Sequence, residues 1–206
     1  WRSCADAGAG RRARATEGVA TGLGRGPVGG RGVVVGSVVD GVLEDGHEAF
    51  RSNALAGAAA LKLLQLGGVA VLLCTARGLP EVKDRVARFG LLGGVSGFGS
   101  QTWDAVFERD LALVSPRGEQ QLRQLREIAS SDPKLVIHSG HDHCVRISRV
   151  VEGRLAPLET VAARALLEST RLEHLTFWTA RRYTDFVDRA VGKGDGVQRL
   201  RESQGL

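Results

Sequence analysis

The sequence predicts an α/β protein built on a parallel sheet, with an inserted α+β layer. Two short apolar runs, Val33–Val39 and Val69–Cys74, are each followed by a helical pattern, with short connections between them. Strands and helices that alternate in this way form parallel sheets buried on both faces. From about residue 98 the pattern changes to helix, two strands, helix, two strands, which we interpret as a separate inserted layer.

The elements follow from apolar periodicity and from Pro and Gly at element ends. Pro80 favours a helix start and Gly90 a helix end, and Gly67-Gly68 closes the preceding helix in the same way. Beyond the two apolar runs, the predicted helices are 48–66, 80–89, 115–129, 158–169 and 197–202, and the predicted strands are 103–109, 134–138, 144–151, 174–179 and 183–187.

Three regions follow from these elements. Residues 1–32 are rich in Gly, Ala and Arg and are predicted to be a disordered low-complexity leader. Residues 33–97 and 188–206 form the predicted core, and residues 98–187 form the inserted layer. The chain contains no Met, begins at Trp1 and stops at Leu206, so we expect this sequence to be a fragment.

Most of the net charge of +5 comes from the leader, which contains six arginines and only two acidic residues, Asp6 and Glu17. The rest of the chain is close to neutral, so nucleic-acid binding is not predicted, although a polyanion-binding leader is an alternative to plain disorder. The Gly-x-Gly-x-Gly pattern at residues 22–26 precedes the first strand, which is the wrong context for a phosphate loop.

The composition is that of an ordinary globular protein, with 43% hydrophobic and 25% charged residues. No apolar run reaches the length of a membrane span, and no secretory signal is visible. Cys4, Cys74 and Cys144 are too widely spaced for a disulfide framework or a paired zinc motif, so a cytoplasmic location is expected.

Three segments, in this order, resemble the motifs of the haloacid dehalogenase (HAD) superfamily of phosphohydrolases. Its first motif is an apolar strand followed by Asp-x-Asp-Gly, and Val38-Val39-Asp40-Gly41 is similar. The second, an apolar strand that ends in Thr, is similar to Leu72–Arg77, and the third, a Lys before a Gly-rich helix start, is similar to Val191–Val197. In the capped sugar-phosphatase, Cof-like branch, an αββαββ cap lies between the second and third motifs, and the resemblance covers about residues 33–206.

The resemblance implies a Rossmannoid core with a cap, and a Mg²⁺-dependent phosphatase of a small phosphorylated metabolite, a sugar phosphate. In that family the counterpart of Asp40 is the general acid/base, and its backbone carbonyl helps to bind Mg²⁺. Thr75 would donate to a phosphoryl oxygen, and Lys193 would neutralise charge around the phosphate. The further predicted substrate-binding residues are Gly41, Ala76, Arg77 and Arg146.

One departure from the family pattern bears on activity. Val38 occupies the position of the nucleophilic Asp, and a valine can neither attack phosphorus nor bind a metal. Ser37 is one residue out of phase on the strand and is predicted to face away from Asp40. The fourth, acidic motif would lie beyond Leu206, so the other metal ligands are missing. We therefore expect little or no turnover, and the alternative is a pseudo-phosphatase that binds a ligand or partner without hydrolysis.

Several polar residues have two interpretations each, and three aromatic residues have one. A polar hairpin turn is favoured over a metal site for one crowded group of candidate ligands: His138, His141, Asp142, His143 and Cys144. Arg146 and Arg149 either grip an anionic substrate or form surface salt bridges. The aromatic residues Trp103, Phe177 and Trp178 are predicted to lie in the core of the inserted layer.

Overall fold

The computed structural model describes residues 34–37 and 55–206, and for residues 34–37 it describes the strand and not its side chains. The predicted leader at residues 1–32, and the residues Val38, Asp40 and Gly41 of the first motif, lie outside the described residues. The predictions about them therefore remain predictions.

A five-stranded sheet forms the first layer, in the order β1-β2-β3-β4-β5. The first three strands are parallel, and β4 and β5 add to the edge as antiparallel strands. The strands are β1 Val34–Ser37, β2 Ala70–Cys74, β3 Gly93–Ser96, β4 Gln101–Asp104 and β5 Arg109–Ala112. The predicted α/β class with a parallel sheet is confirmed.

Helices cover both faces of this sheet. Successive side chains of β2 point to opposite faces, so each face receives apolar side chains from this strand. Val71 and Leu73 pack on one side with residues of α1 (Leu55–Leu66) and α2 (Leu79–Phe89). Leu72 and Cys74 pack on the other side with Leu200 of α5 (Lys193–Gln204). The continuous apolar run of β2 thus reflects burial on both faces.

The second layer is an antiparallel sheet with the order β6-β7-β10-β9, and a short strand β8 pairs with β7. Helices α3 (Pro116–Ser131) and α4 (Thr160–Ser169) pack on one face of it. Their shared core includes Leu122, Leu125, Val145, Ile147 and Phe186. The strands are β6 Leu135–Ile137, β7 Val145–Val151, β8 Arg154–Ala156, β9 Leu175–Thr179 and β10 Thr184–Asp188.

The second layer begins later than predicted. Residue 98 was the predicted start, but β4 and β5 pair with the first sheet, so the second layer begins at Pro116. The predicted strand 103–109 is a hairpin, because the Asp104 carboxylate accepts hydrogen bonds from the amides of Val106 and Phe107 and closes a turn. The last strand of the second sheet, β10, ends at Asp188.

The last helix also begins earlier than predicted, at Lys193 instead of Val197. The Asp195 carboxylate accepts a hydrogen bond from the amide of Gly192 at 2.8 Å, which stabilises a helix start within a Gly-rich segment. Lys193 therefore lies in the first turn of a helix and not in a loop. Across the two described ranges, no helix combines the length and apolar character needed to cross a lipid bilayer.

Candidate functional site

The ends of three parallel strands lie side by side at one edge of the first sheet. Ser37, the last residue of β1, pairs with Leu73, and Cys74 at the end of β2 pairs with Val95. The segments that follow β2 and β3 therefore leave the sheet at the same edge. In open α/β sheets this carboxyl edge is where ligands bind.

Thr75 is the first residue after β2 and is held in a tight turn. It is buried, and its amide donates to the carbonyl of Val95 at 2.9 Å. Its Oγ1 accepts a hydrogen bond from the amide of Arg77 at 3.2 Å. A hydroxyl that accepts one bond still has its own hydrogen to donate, so Thr75 can serve an anionic oxygen at this edge.

A turn of three residues, Gly97-Phe98-Gly99, follows β3 and holds the segment after Thr75. The amide of Gly97 donates to the carbonyl of Arg77 at 3.0 Å, and the amide of Phe98 donates to the carbonyl of Thr75 at 3.4 Å. All three residues have positive φ values, of 51°, 61° and 112°. For Phe98 this left-handed conformation costs about 1–2 kcal/mol.

The same turn contacts the start of α5, where Lys193 lies. A Cβ on Gly99 would collide with the backbone of Gly192, so only glycine allows this close approach. The Sγ of Cys74 lies 4.0 Å from the carbonyl oxygen of Lys193, and the Nζ of Lys193 lies 5.5 Å from the centre of the Phe98 ring. The structure therefore brings Thr75 and Lys193 against one turn at the carboxyl edge.

The Lys193 charge acts on the thiol next to Thr75. Burial raises the pKa of Cys74, and the ammonium group of Lys193 acts in the opposite direction. Lys193 itself is half-buried at the start of its helix. A positive charge thus acts on the residue next to Thr75, an arrangement suited to binding an anion at this edge.

Arg146 approaches this edge from the second sheet. Its Nη2 donates to the carbonyl of Ala76 at 3.1 Å, and its guanidinium lies 3.7 Å from the centre of the Tyr183 ring. Its Nε and Nη2 also donate to the two carboxylate oxygens of Asp185. Arg146 is therefore beside the second motif, as an ion-paired buried side chain, while its predicted role in substrate binding stays a prediction.

The other predicted arginines have distinct surroundings. Arg77 is buried, and its Nη1 lies 3.6 Å from a carboxylate oxygen of Glu81. Arg149 pairs with Glu159 at 2.7 Å on the surface, as one of its two interpretations proposed. Of the predicted substrate contacts, Ala76, Arg77 and Arg146 thus lie together, and Gly41 lies outside the described residues.

The crowded polar residues of the β6–β7 turn do not gather around one point. The Nε2 of His138 hydrogen-bonds the Oγ of Ser148 at 2.7 Å, whereas the Nδ1 of His141 lies 3.5 Å from the Sγ of Cys144. Arg126 donates to the carbonyls of His141 and Cys144 and holds the turn. Within residues 34–37 and 55–206, no group of three or more His, Cys, Asp or Glu side chains could hold a metal ion.

Mg²⁺ prefers oxygen ligands, several of them from carboxylates. The groups next to Lys193 are the Cys74 thiol and the Phe98 ring, so the described residues do not by themselves fit Mg²⁺. The Asp40 carbonyl, which the resemblance assigns to the metal, lies outside the described residues. Binding of Mg²⁺ therefore remains a prediction.

Phe98 lies beside Lys193 and Trp178 lies beside Phe98 at this edge, and the sequence did not predict either of them as a site residue. Their rings stack, with centroids 6.0 Å apart and an interplanar angle of 12°. The available signal was an aromatic residue between two glycines, Gly97-Phe98-Gly99. The aromatic predictions were partly wrong, because Trp103 packs in the first layer and Trp178 is 41% exposed, while Phe177 packs against the second core as predicted.

Several solved structures share this architecture, and HAD superfamily proteins are among them. One, from a study of phosphatases of the haloalkanoate (HAD) superfamily in Bacteroides thetaiotaomicron, has a TM-score of 0.62 and 14% identity over 89% of this chain and 77% of that one. A haloacid dehalogenase-like hydrolase from B. subtilis has a TM-score of 0.60 and 13% identity over 84% and 79%. The fold is that of the HAD superfamily.

A third HAD-like structure is a sucrose-phosphatase from Synechocystis sp. PCC6803, solved with sucrose and phosphate. It has a TM-score of 0.55 and 13% identity over 84% of this chain and 70% of that one. No family profile and no curated protein matches the sequence. The resemblance predicted from the three motifs is thus confirmed at the level of the HAD-like fold.

Proposed function

We propose that this chain is a HAD-type phosphatase scaffold for a small phosphorylated metabolite, with little turnover because Val38 stands at the nucleophile position. One observation carries the proposal: Thr75 and Lys193, 118 positions apart in sequence, contact the same Gly97–Gly99 turn at the carboxyl edge of a parallel sheet. The HAD-like fold and its phosphatase neighbours support it.

Thr75 and Lys193 each have a defined part in binding a phosphate group. The Thr75 hydroxyl donates a hydrogen bond to a phosphoryl oxygen, and the Lys193 ammonium group balances the charge on the other oxygens. Asp40 follows β1, whose last residue pairs with Leu73 two positions before Thr75, and it is proposed as the general acid/base. Mg²⁺, where bound, supplies further charge neutralisation.

A sugar phosphate is the proposed substrate class. The sucrose-phosphatase neighbour was solved with sucrose and phosphate, and it shares the fold with this chain. In this proposal the second sheet is the cap, and its face next to Ala76 and Phe98 carries polar and aromatic side chains, including Arg146, Tyr183 and Trp178. Aromatic and hydrogen-bonding groups of this kind suit a sugar ring.

Val38 favours a second candidate function, a pseudo-phosphatase that binds a phosphorylated ligand without hydrolysing it. The valine side chain has no atom that can attack phosphorus. The anion-binding groups Thr75 and Lys193 do not depend on a nucleophile. Thr75 and Lys193 could therefore bind a phosphorylated ligand in a protein that does not hydrolyse it.

Hydrolysis of p-nitrophenyl phosphate with Mg²⁺ tests the proposal, in the full-length natural protein with and without Val38→Asp. We expect hydrolysis at the blank rate with Val38 and at least about a hundredfold faster with Val38→Asp, because the carboxylate supplies the nucleophile. Val39→Asp is the matched control, since it adds the same charge one residue out of phase.

Lys193→Met in the Val38→Asp background should abolish the restored turnover. If Val38→Asp gives no turnover while the protein still binds inorganic phosphate, the pseudo-phosphatase is the correct alternative. If it gives neither turnover nor phosphate binding, the phosphatase proposal is wrong.

A further inference from the structure

We propose that Phe98 is a positioning residue for Lys193 and ties the location of its ammonium group to the second sheet. This inference rests on the proposed function in one respect, namely that Lys193 binds an anionic oxygen. Phe98 belongs to none of the three motifs, and its backbone conformation and contacts distinguish it.

Phe98 is strained in a place where glycine would be free of strain. Its φ of 61° is in the left-handed region, which a bulky side chain rarely adopts, and both neighbours in the turn are glycines. Strained residues persist where surrounding contacts hold them, and they concentrate at functional sites. The contacts of the Phe98 ring therefore indicate its role.

The ring contacts one group from each layer. Trp178 of β9 stacks on it, with ring centroids 6.0 Å apart, and the Nζ of Lys193 lies 5.5 Å from its centroid. A cation within about 6 Å of an aromatic face is attracted by the ring quadrupole. The Phe98 ring thus links the lysine of the first layer to a tryptophan of the second.

The backbone of the turn leaves the ring little room to move independently. The amide of Phe98 donates to the carbonyl of Thr75 at 3.4 Å on one side. On the other side Gly99 packs against Gly192, so closely that a Cβ on Gly99 would collide with that backbone. A shift of the ring therefore changes the environment of the Lys193 ammonium group directly.

The second sheet reaches this edge through residues on one face. In the strand register Asp185 of β10 is opposite Arg146 of β7 and opposite Trp178 of β9, so the three form a row across the sheet. Arg146 donates to the carbonyl of Ala76, and Trp178 stacks on Phe98. When this row moves relative to the first sheet, the support of Lys193 moves with it.

Three variants test the inference. Phe98→Gly removes the ring and relieves the left-handed strain, so the turn keeps its backbone conformation. Trp178→Leu removes only the stacking partner. Phe177→Leu is the matched control, because it changes the neighbouring aromatic residue of β9, whose side chain packs toward the opposite face in the second core.

The first measurement is the NMR signal of the Lys193 side-chain methylenes, assigned with Lys193→Met. We expect Phe98→Gly to move these resonances downfield by removing the ring current, and Trp178→Leu to move them in the same direction. Phe177→Leu should leave them in place. Unmoved Lys193 resonances in Trp178→Leu would overturn the inference.

The second measurement is the dissociation constant for inorganic phosphate. Phe98→Gly and Trp178→Leu should each weaken binding about two- to fivefold, the range expected for loss of one cation–π contact, with no change in Phe177→Leu. Wild-type affinity in Phe98→Gly would contradict the inference. If the unaltered protein does not bind phosphate, the proposed function fails, and the Lys193 resonances still decide whether Phe98 positions the lysine.

Discussion

The guanidinium of Arg146 donates to both carboxylate oxygens of Asp185, from Nε to Oδ1 at 2.7 Å and from Nη2 to Oδ2 at 3.1 Å. Both side chains are buried, and they lie opposite each other on β7 and β10. Burial raises the pKa of Asp185, and the hydrogen bonds and charge of Arg146 act against that rise. Because Arg146 also binds the carbonyl of Ala76, this pair connects the second sheet to the segment after Thr75.

Removing one member of this pair should destabilise the protein strongly. Asp185→Ala leaves a buried guanidinium without its partner, and we expect the free energy of unfolding to fall by about 3–5 kcal/mol. Glu159→Ala is the matched control, because its pair with Arg149 has the same 2.7 Å separation but side chains 69% and 38% exposed. That change should cost less than about 1 kcal/mol. Equal losses in urea denaturation would contradict the burial argument.

Gly118→Ala, in the first turn of α3, should destabilise the protein, whereas the same change at an ordinary helical glycine usually stabilises it. A Cβ there would collide with the carboxylate of Asp188, which is fully buried and accepts hydrogen bonds from the amide and hydroxyl of Ser115. Gly118→Ala should therefore destabilise the protein by about 1–3 kcal/mol.

Gly194 in the first turn of α5 is the control, since nothing lies within 4 Å of the position its Cβ would take. Gly194→Ala should raise the free energy of unfolding by a few tenths to about 1 kcal/mol. Thermal unfolding of the two variants measures both effects. Stabilisation by Gly118→Ala would contradict the close packing of Asp188 against this position.

The segment around His141 should make stability fall in mild acid. Burial, with the charges of Arg146, His138 and Arg126, lowers the pKa of His141 from 6.5 to about 4. Between those two values the unfolded chain binds a proton that the folded chain excludes, so stability is lost as the pH falls from 6.5 to 4. Allowing for partial exposure, we expect a loss of about 2 kcal/mol from this group.

His141→Gln removes the titrating group and should flatten this part of the profile of unfolding free energy against pH. Ser139→Ala, at an exposed position of the same turn, should leave the profile unchanged. If His141→Gln retains the full loss of stability between pH 6.5 and pH 4, protonation of His141 is not its cause.

Local signals account for the elements that were predicted well. The apolar run that ends at Cys74 and the Pro80 and Gly90 boundaries of α2 depend on neighbouring residues alone, and the structure agrees with them within a residue. The start of α5 was missed because Gly-Lys-Gly-Asp-Gly is typical of a loop, whereas the contact from Asp195 to Gly192 makes it a helix start.

Long-range pairing accounts for what was missed. The pairing of β4 with β3 depends on close approach of Gly93 to the backbone of Trp103, and strand periodicity does not specify a partner. Arg146 was a candidate from its position on a strand, but its partner Asp185 is 39 positions away. The site contributions of Phe98 and Trp178 likewise depend on contact between the two layers.

The most direct test of the central claim is an NMR titration of the ¹⁵N-labelled protein with inorganic phosphate, against chloride at equal ionic strength. Thr75, Arg77, Phe98 and Lys193 belong to segments that meet at one turn, so one bound phosphate should shift their amide resonances together, with a single dissociation constant. Resonances that stay in place, or that follow separate binding curves, would contradict a single anion site at this edge of the sheet.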